Sequence, residues 1–224
     1  MCNANCIIFG ATNLSEAEVR GKKVVELGSR DVNGSLRRVV ELLKPSEYVG
    51  LDMEAGPGVD MVCGAEEAAA KLGAESFDVV ISTEMLEHVR DWRRVISNVK
   101  RLCRPGGIIL LTTRSVGAEY HSYPSDFWRY DPGDMEFIFS DCEIKKLERD
   151  SPEAGVFLKA VKPAGFREKD LSGYGLYSII EQKRILEVND AVLKGFYRRM
   201  NRYQRIRDSV YAAGKFVAAK ILRI

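Results

Sequence analysis

Residues 77–82 (FDVVIS) and 108–113 (IILLTT) are two short apolar runs in which polar residues do not alternate with apolar ones. A strand with one face in water alternates, whereas a strand covered on both faces stays apolar along its length. Between these runs, residues 89–103 carry apolar side chains at helical spacing and are stopped by Arg104-Pro105-Gly106-Gly107. Strand, helix and strand in this order predict a right-handed βαβ unit in a parallel sheet. The same alternation extends toward the N-terminus. Residues 23–27 (KVVEL) read as a first strand ending at Gly28, 35–43 as a helix with Pro45 behind it, and 48–51 as a second strand closing on Asp52. Residues 59–62 give a short third strand and 65–72 a helix. Beyond residue 113, residues 142–147 and 156–161 are two more strands. The short turn Ser151-Pro152-Glu153-Ala154-Gly155 makes them an antiparallel pair. The expected fold class is α/β: a doubly wound, mostly parallel seven-stranded sheet with an antiparallel final strand. Residues 174–224 are helix-like, basic and rich in tyrosine, so the expected division is 1–162 for the α/β domain and 163–224 for a basic helical C-terminal extension.

The composition is that of a globular chain, 46% hydrophobic and 29% charged, and 224 residues suit one domain with an appendage. No apolar run reaches membrane-spanning length. Residues 1–10 have no basic start before their short apolar stretch, so a secretory signal is not expected. Cys2, Cys6, Cys63, Cys103 and Cys142 are odd in number and contain no CxxC pair, which fits a reducing compartment and a cytoplasmic location. With only two histidines in the chain, a tetrahedral zinc site is not expected, and no metal is assigned. The net charge of +2 is uneven. Residues 171–224 hold eleven Lys/Arg against four Asp/Glu, a local +7 that leaves −5 for the remainder.

In an open α/β sheet, ligands bind beyond the carboxyl ends of the strands, where the strand order reverses. After the first strand comes Gly28-Ser29-Arg30-Asp31-Val32-Asn33-Gly34. Glycines at both ends permit a sharp turn and a close approach of ligand to backbone. The spacing is neither GxGxxG nor a P-loop, which disfavours a pyrophosphate cradle. Asp52, at the end of the second strand, suits a pair of ribose hydroxyls. Thr83-Glu84-Met85-Leu86-Glu87-His88-Val89 follows the fourth strand. The fifth is followed by a segment with His121, Tyr123, Asp126, Phe127, Trp128 and Tyr130.

Four of these stretches resemble the class I S-adenosylmethionine-dependent methyltransferases of the type 11 group. They are VVELGSRDVNGS, YVGLDME, FDVVISTEMLEHV and LCRPGGIILLTT, in family order over residues 21–162. The resemblance implies a Rossmann-like fold and S-adenosylmethionine as cofactor. By position, Glu26 would organise the ammonium end of the methionyl part, Gly28 and Ser29 would run alongside, and Asp52 would hold the ribose hydroxyls. Met53, Gly64 and Ala65 would meet the adenine, while Thr83, Glu84 and Met85 would close the site. Three departures stand out. The first loop is longer and poorer in glycine than the family's. Glu54-Ala55-Gly56-Pro57-Gly58 replaces a helix. Gly64 stands where an acidic residue is usual, which leaves adenine recognition there to backbone groups.

A hydroxyl acceptor benefits from a general base, and histidine suits that work near neutral pH. The candidate catalytic residues are therefore His88, His121 and Asp126, the last able to orient a histidine, meet a substrate hydroxyl or cap a turn. The aromatics around them read equally as a substrate lid or as core cover. The expected function is in-line methyl transfer to a small-molecule or sugar acceptor. Alternatives are an RNA methyltransferase, disfavoured by the acidic core, and a non-catalytic cofactor-binding module. For the basic C-terminal stretch, three covers are open: the core of the same chain, a second subunit in a homodimer, or an anionic membrane surface.

Overall fold

The computed structural model describes residues 3–121 and 125–222, apart from the side chains of 208–210 and 212–222. Tyr123 and most side chains of the basic C-terminal stretch beyond residue 207 lie outside what is described. Contacts divide the chain into two compact units, residues 1–187 and 188–224.

The first unit opens with two helices, α1 (Ala4–Asn13) and α2 (Glu16–Val19). Then come β1 (Lys23–Leu27), α3 (Arg37–Leu42), β2 (Glu47–Asp52), β3 (Met61–Val62), α4 (Ala68–Leu72) and β4 (Phe77–Thr83). They are followed by α5 (Trp92–Leu102), β5 (Cys103–Arg114), β6 (Trp128–Arg129), α6 (Pro132–Ile138), β7 (Glu143–Asp150) and β8 (Gly155–Val161). The main sheet has seven strands in the order β3-β2-β1-β4-β5-β8-β7. Strands β1 to β5 are parallel, and β8 runs antiparallel to both β5 and β7. The chain steps outward from β1 to β3 and returns to start β4 beside β1, which puts the switch point at the carboxyl ends of β1 and β4.

All seven residues of β4 are buried, Asp78, Ser82 and Thr83 included, as expected of a strand covered on both faces. One face of the sheet carries Val24, Val79, Ile81, Ile108 and Leu110, which pack with Leu36 and Val40 of the α3 segment and with Cys6 and Phe9 of α1. Helix α1 was not expected. Asn3 caps it by accepting from the Cys6 N–H at 2.9 Å, and the Phe9 ring lies 5.0 Å from that of Phe157 on β8. The other face is covered by α5, whose Trp92, Val95, Ile96, Val99 and Leu102 are fully buried. Asp91 caps this helix at the Arg94 N–H. The turn into β5 belongs to the strand. Phe77 pairs with Cys103 and Val79 with Ile108, so Arg104-Pro105-Gly106-Gly107 bulges out of the ladder. Gly107 cannot carry a side chain there, because a Cβ would lie 2.8 Å from the Asp78 carbonyl oxygen.

Residues 163–187 differ from expectation. They were assigned to a helical extension, but β9 (Leu176–Ser178) and β10 (Lys183–Ile185) pair antiparallel, and β9 also pairs with β6 to make a second, three-stranded sheet. Arg93 on α5 holds this segment by donating to the carbonyls of Leu171, Tyr174 and Leu186. The second unit is a single helix, α7 (Asp190–Leu222), so the helical extension begins at Asp190 rather than at Tyr174. No helix among the described residues is long and apolar enough to cross a membrane.

Candidate active site

A cleft of about 320 Å³ opens at the switch point, at the low end of the range for small-molecule sites. It is lined by the loops that follow β1 to β4. All ten residues expected at the cofactor line it: Glu26, Gly28, Ser29, Asp52, Met53, Gly64, Ala65, Thr83, Glu84 and Met85.

Glu26 is the penultimate residue of β1 and is 1% exposed. Its Oε2 accepts from the Tyr48 hydroxyl at 2.5 Å and its Oε1 from Thr83 Oγ1 at 3.4 Å. Burial pushes its pKa from 4.5 up to about 7, and these two hydrogen bonds only partly offset the effect. The carboxylate thus stands in the cleft wall with no cation hydrogen-bonded to it among the described residues, and the charge of Arg37 only partly offsets its burial. At the other side of the β1 loop, Asp52 Oδ2 accepts from the Arg30 N–H at 3.2 Å and Oδ1 from the Glu54 N–H at 3.1 Å. Each oxygen keeps a lone pair for a further donor.

The β1 loop is shaped by close backbone approach. Gly28 sits at φ +78°, and a Cβ there would come within 2.6 Å of the Met85 side chain. Its N–H donates to the Leu51 carbonyl at 2.8 Å, tying the loop to β2. The Ser29 hydroxyl is buried without a hydrogen-bond partner among the described residues. Gly58, at φ +84°, lets the 54–58 segment lie against this loop. Asp31 N–H donates to the Pro57 carbonyl, and Arg37 pairs with Asp60, which accepts from the Gly50 N–H. These contacts do the work of the missing helix. On the β4 side, Glu84 has φ +52°, a strained conformation for a side-chain-bearing residue, and its carboxylate pairs with Arg114.

A buried ligand with a cation at one end and vicinal hydroxyls further along matches this donor set. Glu26 supplies the missing countercharge for the cation, Asp52 supplies acceptors for the hydroxyls, and the turn at Gly28 and Ser29 runs along the cleft wall between them. The residues present therefore fit S-adenosylmethionine.

Of the expected catalytic residues, only His88 lines the cleft. Its Nδ1 lies 2.6 Å from the Ser125 carbonyl oxygen. A carbonyl cannot donate, so Nδ1 carries the hydrogen and Nε2 the lone pair. His121 lies beside it, the two rings edge-to-face at 4.8 Å. His121 Nδ1 faces Asp126 Oδ2 at 3.2 Å, and that hydrogen bond raises its pKa above the ordinary histidine value. Asp126 does not line the cleft. It is fully buried and bidentate to Arg129, at 2.5 and 2.6 Å, and it also accepts from the His121 backbone N–H. Burial would raise its pKa, but Arg129 and His121 hold it at about 2. Both of its oxygens are taken by protein donors. Arg129, itself fully buried, also donates to the carbonyls of Ala118, Glu119 and Trp128. Sequence reasoning passed over both Arg129 and Glu87, whose carboxylate is fully buried beside the two histidines. The aromatics divide. Phe127 lines the cleft, whereas Trp128 and Tyr130 are core, donating to the carbonyls of Arg90 and Leu86.

Residues 31–111 match a family model described as a methyltransferase domain. The ubiquinone biosynthesis O-methyltransferase of Chromobacterium violaceum is 27% identical over 190 residues, which are 78% of this chain and 75% of that protein. The enzyme of the same name from Parvibaculum lavamentivorans is 34% identical over 120 residues, 54% of this chain but only 45% of that protein. An S-adenosylmethionine-dependent methyltransferase structure from Mesorhizobium loti superposes with a TM-score of 0.53 at 20% identity, over 68% of this chain and 95% of that one, and shares the fold. With the strand order in hand, residues 31–111 carry a methyltransferase domain, and the chain around it is similar in sequence and fold to S-adenosylmethionine-dependent methyltransferases.

Proposed function

We propose that this protein methylates an oxygen of a small-molecule or sugar acceptor in the cytoplasm. The observation that carries the reading is one cleft with a buried, uncompensated Glu26 carboxylate at one side and the twice-anchored Asp52 at another. When bound, the cofactor's sulfonium supplies an already activated methyl group. Glu26 binds the methionyl ammonium and Asp52 the ribose hydroxyls. Gly28 and Ser29 run alongside, with Met53, Gly64 and Ala65 at the adenine, and Thr83, Glu84 and Met85 close the wall. The remaining task is to align the acceptor and exclude water. Phe127 narrows the mouth, and His88 Nε2 is the lone-pair nitrogen in reach of an acceptor proton. His121 and Asp126 support that histidine. The relatives named O-methyltransferases favour oxygen as the acceptor atom. Helix α7, carrying most of the basic excess, is the proposed contact element toward a second subunit or an anionic bilayer.

The test is native mass spectrometry for bound S-adenosylhomocysteine, followed by an acceptor screen with labelled cofactor. Product mass increased by one methyl group supports the reading. Absence of any cofactor binding overturns it.

A further inference from the structure

We propose that Glu87, His88 and His121 form a divalent transition-metal site beside the cleft. The three groups come from two loops, the turn after β4 and the segment after β5, and their ligand atoms lie within 4.8 Å of one another. Glu87 Oε1 is 3.9 Å from His88 Nε2 and 3.9 Å from His121 Nε2. That is too long for hydrogen bonds. It is close to the spacing a shared ion imposes. Bonds of about 2.1 Å in tetrahedral geometry set ligand atoms about 3.4 Å apart. Each Glu87–histidine edge therefore needs a contraction of roughly half an ångström, and no edge of the trio exceeds 4.8 Å.

The protonation pattern agrees. His88 Nδ1–H is held by the Ser125 carbonyl and His121 Nδ1–H by Asp126, so both rings direct their lone pairs from Nε2. A carboxylate behind a metal-binding imidazole is the usual way such a ring is fixed, and Asp126 is itself locked by Arg129. Glu87 supplies the independent sign. It is 0% exposed, and its Oε2 accepts from Thr113 Oγ1 at 2.8 Å. Its Oε1 has no hydrogen-bond partner among the described residues. A fully buried carboxylate oxygen left without a donor is costly, and a cation between it and the two rings removes the cost.

Two imidazoles and one carboxylate suit Zn²⁺, Fe²⁺, Co²⁺ or Mn²⁺ better than Ca²⁺ or Mg²⁺. Three protein ligands leave coordination positions open, and the 29% exposure of the His121 side chain puts an opening on that side. The sequence argument against a four-ligand zinc site does not touch this arrangement. If the site also receives the acceptor, an oxygen ligand in an open position would be held and acidified. That extension rests on the methyl-transfer reading and replaces His88 as the group that meets the acceptor proton, because its Nε2 lone pair is then committed to the ion; the metal site itself does not rest on that reading.

The experiment uses tag-free, full-length protein stripped with chelator. Zn²⁺ is titrated by calorimetry and Co²⁺ by visible absorption, without cofactor. One equivalent should bind in the micromolar range or tighter. His121→Ala should weaken binding about 100-fold or more and change the Co²⁺ spectrum, and Glu87→Gln should do the same. S-adenosylhomocysteine calorimetry on each variant reports folding and keeps the cofactor reading separate. No saturable binding by the wild type, or unchanged affinity in His121→Ala, overturns the proposal. His121→Ala decides alone if Glu87→Gln fails to fold.

Discussion

Replacing Glu26 with glutamine should make the ligand-free protein more stable and the cofactor site worse. The folded pKa of about 7 lies above the ordinary 4.5, so the native state holds this proton longer than the unfolded chain does. Below about pH 4.5 both states are protonated and the group costs nothing. As pH rises, the unfolded chain ionises first and a penalty builds, complete above about pH 7. A separation of about 2.5 pH units corresponds to about 3 kcal/mol. Glutamine removes that penalty and its oxygen still accepts from Tyr48, so the net gain at pH 8 should be about 2–3 kcal/mol, falling to near zero at pH 4.5. Urea unfolding without ligand at several pH values measures this. The same substitution removes the countercharge for the ammonium group, so S-adenosylhomocysteine affinity should fall at least tenfold by calorimetry. A stability difference that does not vary between pH 5 and pH 8 would refute the argument, because it would mean that Glu26 ionises in the fold as easily as in water.

Wild-type binding of S-adenosylhomocysteine at pH 6 should release protons as Glu26 ionises against the ammonium, and calorimetry in buffers of different ionisation enthalpy should detect it. Asp52→Ala should cost about 2–3 kcal/mol of S-adenosylhomocysteine binding, and equal affinity would remove Asp52 from the site. Gly28→Ala places a Cβ 2.6 Å from Met85 at positive φ. It should lower stability by 1 kcal/mol or more and weaken cofactor binding as well; a neutral result would show the loop to be pliable. A chain ending at Glu187 should keep the melting temperature of the first unit. A chain ending at Asp170 loses β9, β10 and all three carbonyls to which Arg93 donates, and should melt lower. Indistinguishable melting of the two truncations would argue that the small sheet adds nothing.

What the sequence revealed depended on how local its signals were. Strands β1, β4, β5 and β8 were legible because burial on both faces writes itself as a largely apolar run, and half-buried β2 was legible from its place in the strand–helix alternation. The ends of those strands located the cleft, because the doubly wound topology leaves little choice of where a ligand sits. The second sheet was not legible. Its strands are two or three residues long, too short for a period of two to register, and Arg93 organises them from some 80 residues earlier in the chain. Arg129 escaped notice because nothing local distinguishes a buried arginine from a solvated one; its partners are Asp126 and three carbonyls brought round by the fold. Glu87 was hidden differently. Its neighbours Glu84 and His88 drew attention, but only the short turn at Leu86–His88 rotates the Glu87 carboxylate inward onto Thr113. Helix α1 did carry a signal, the capping Asn3 before an apolar run, in a segment read only for targeting.

The Arg129 clamp has a bearing on how this scaffold can diversify. The segment from Ala118 to Tyr130 brings its own internal counter-ion pair, Asp126 with Arg129, and anchors its start through the carbonyls of Ala118 and Glu119 rather than through side chains. Carbonyls are indifferent to residue identity, so Ala118 and Glu119 can be substituted while these two anchors stay intact. The matched family domain stops at residue 111, before this segment begins. Two proteins could therefore share the matched domain and differ wholly here. Exchanging residues 115–130 as one cassette would carry the Asp126–Arg129 pair and its carbonyl anchors together, and would be the natural first graft for changing the segment beside the cleft.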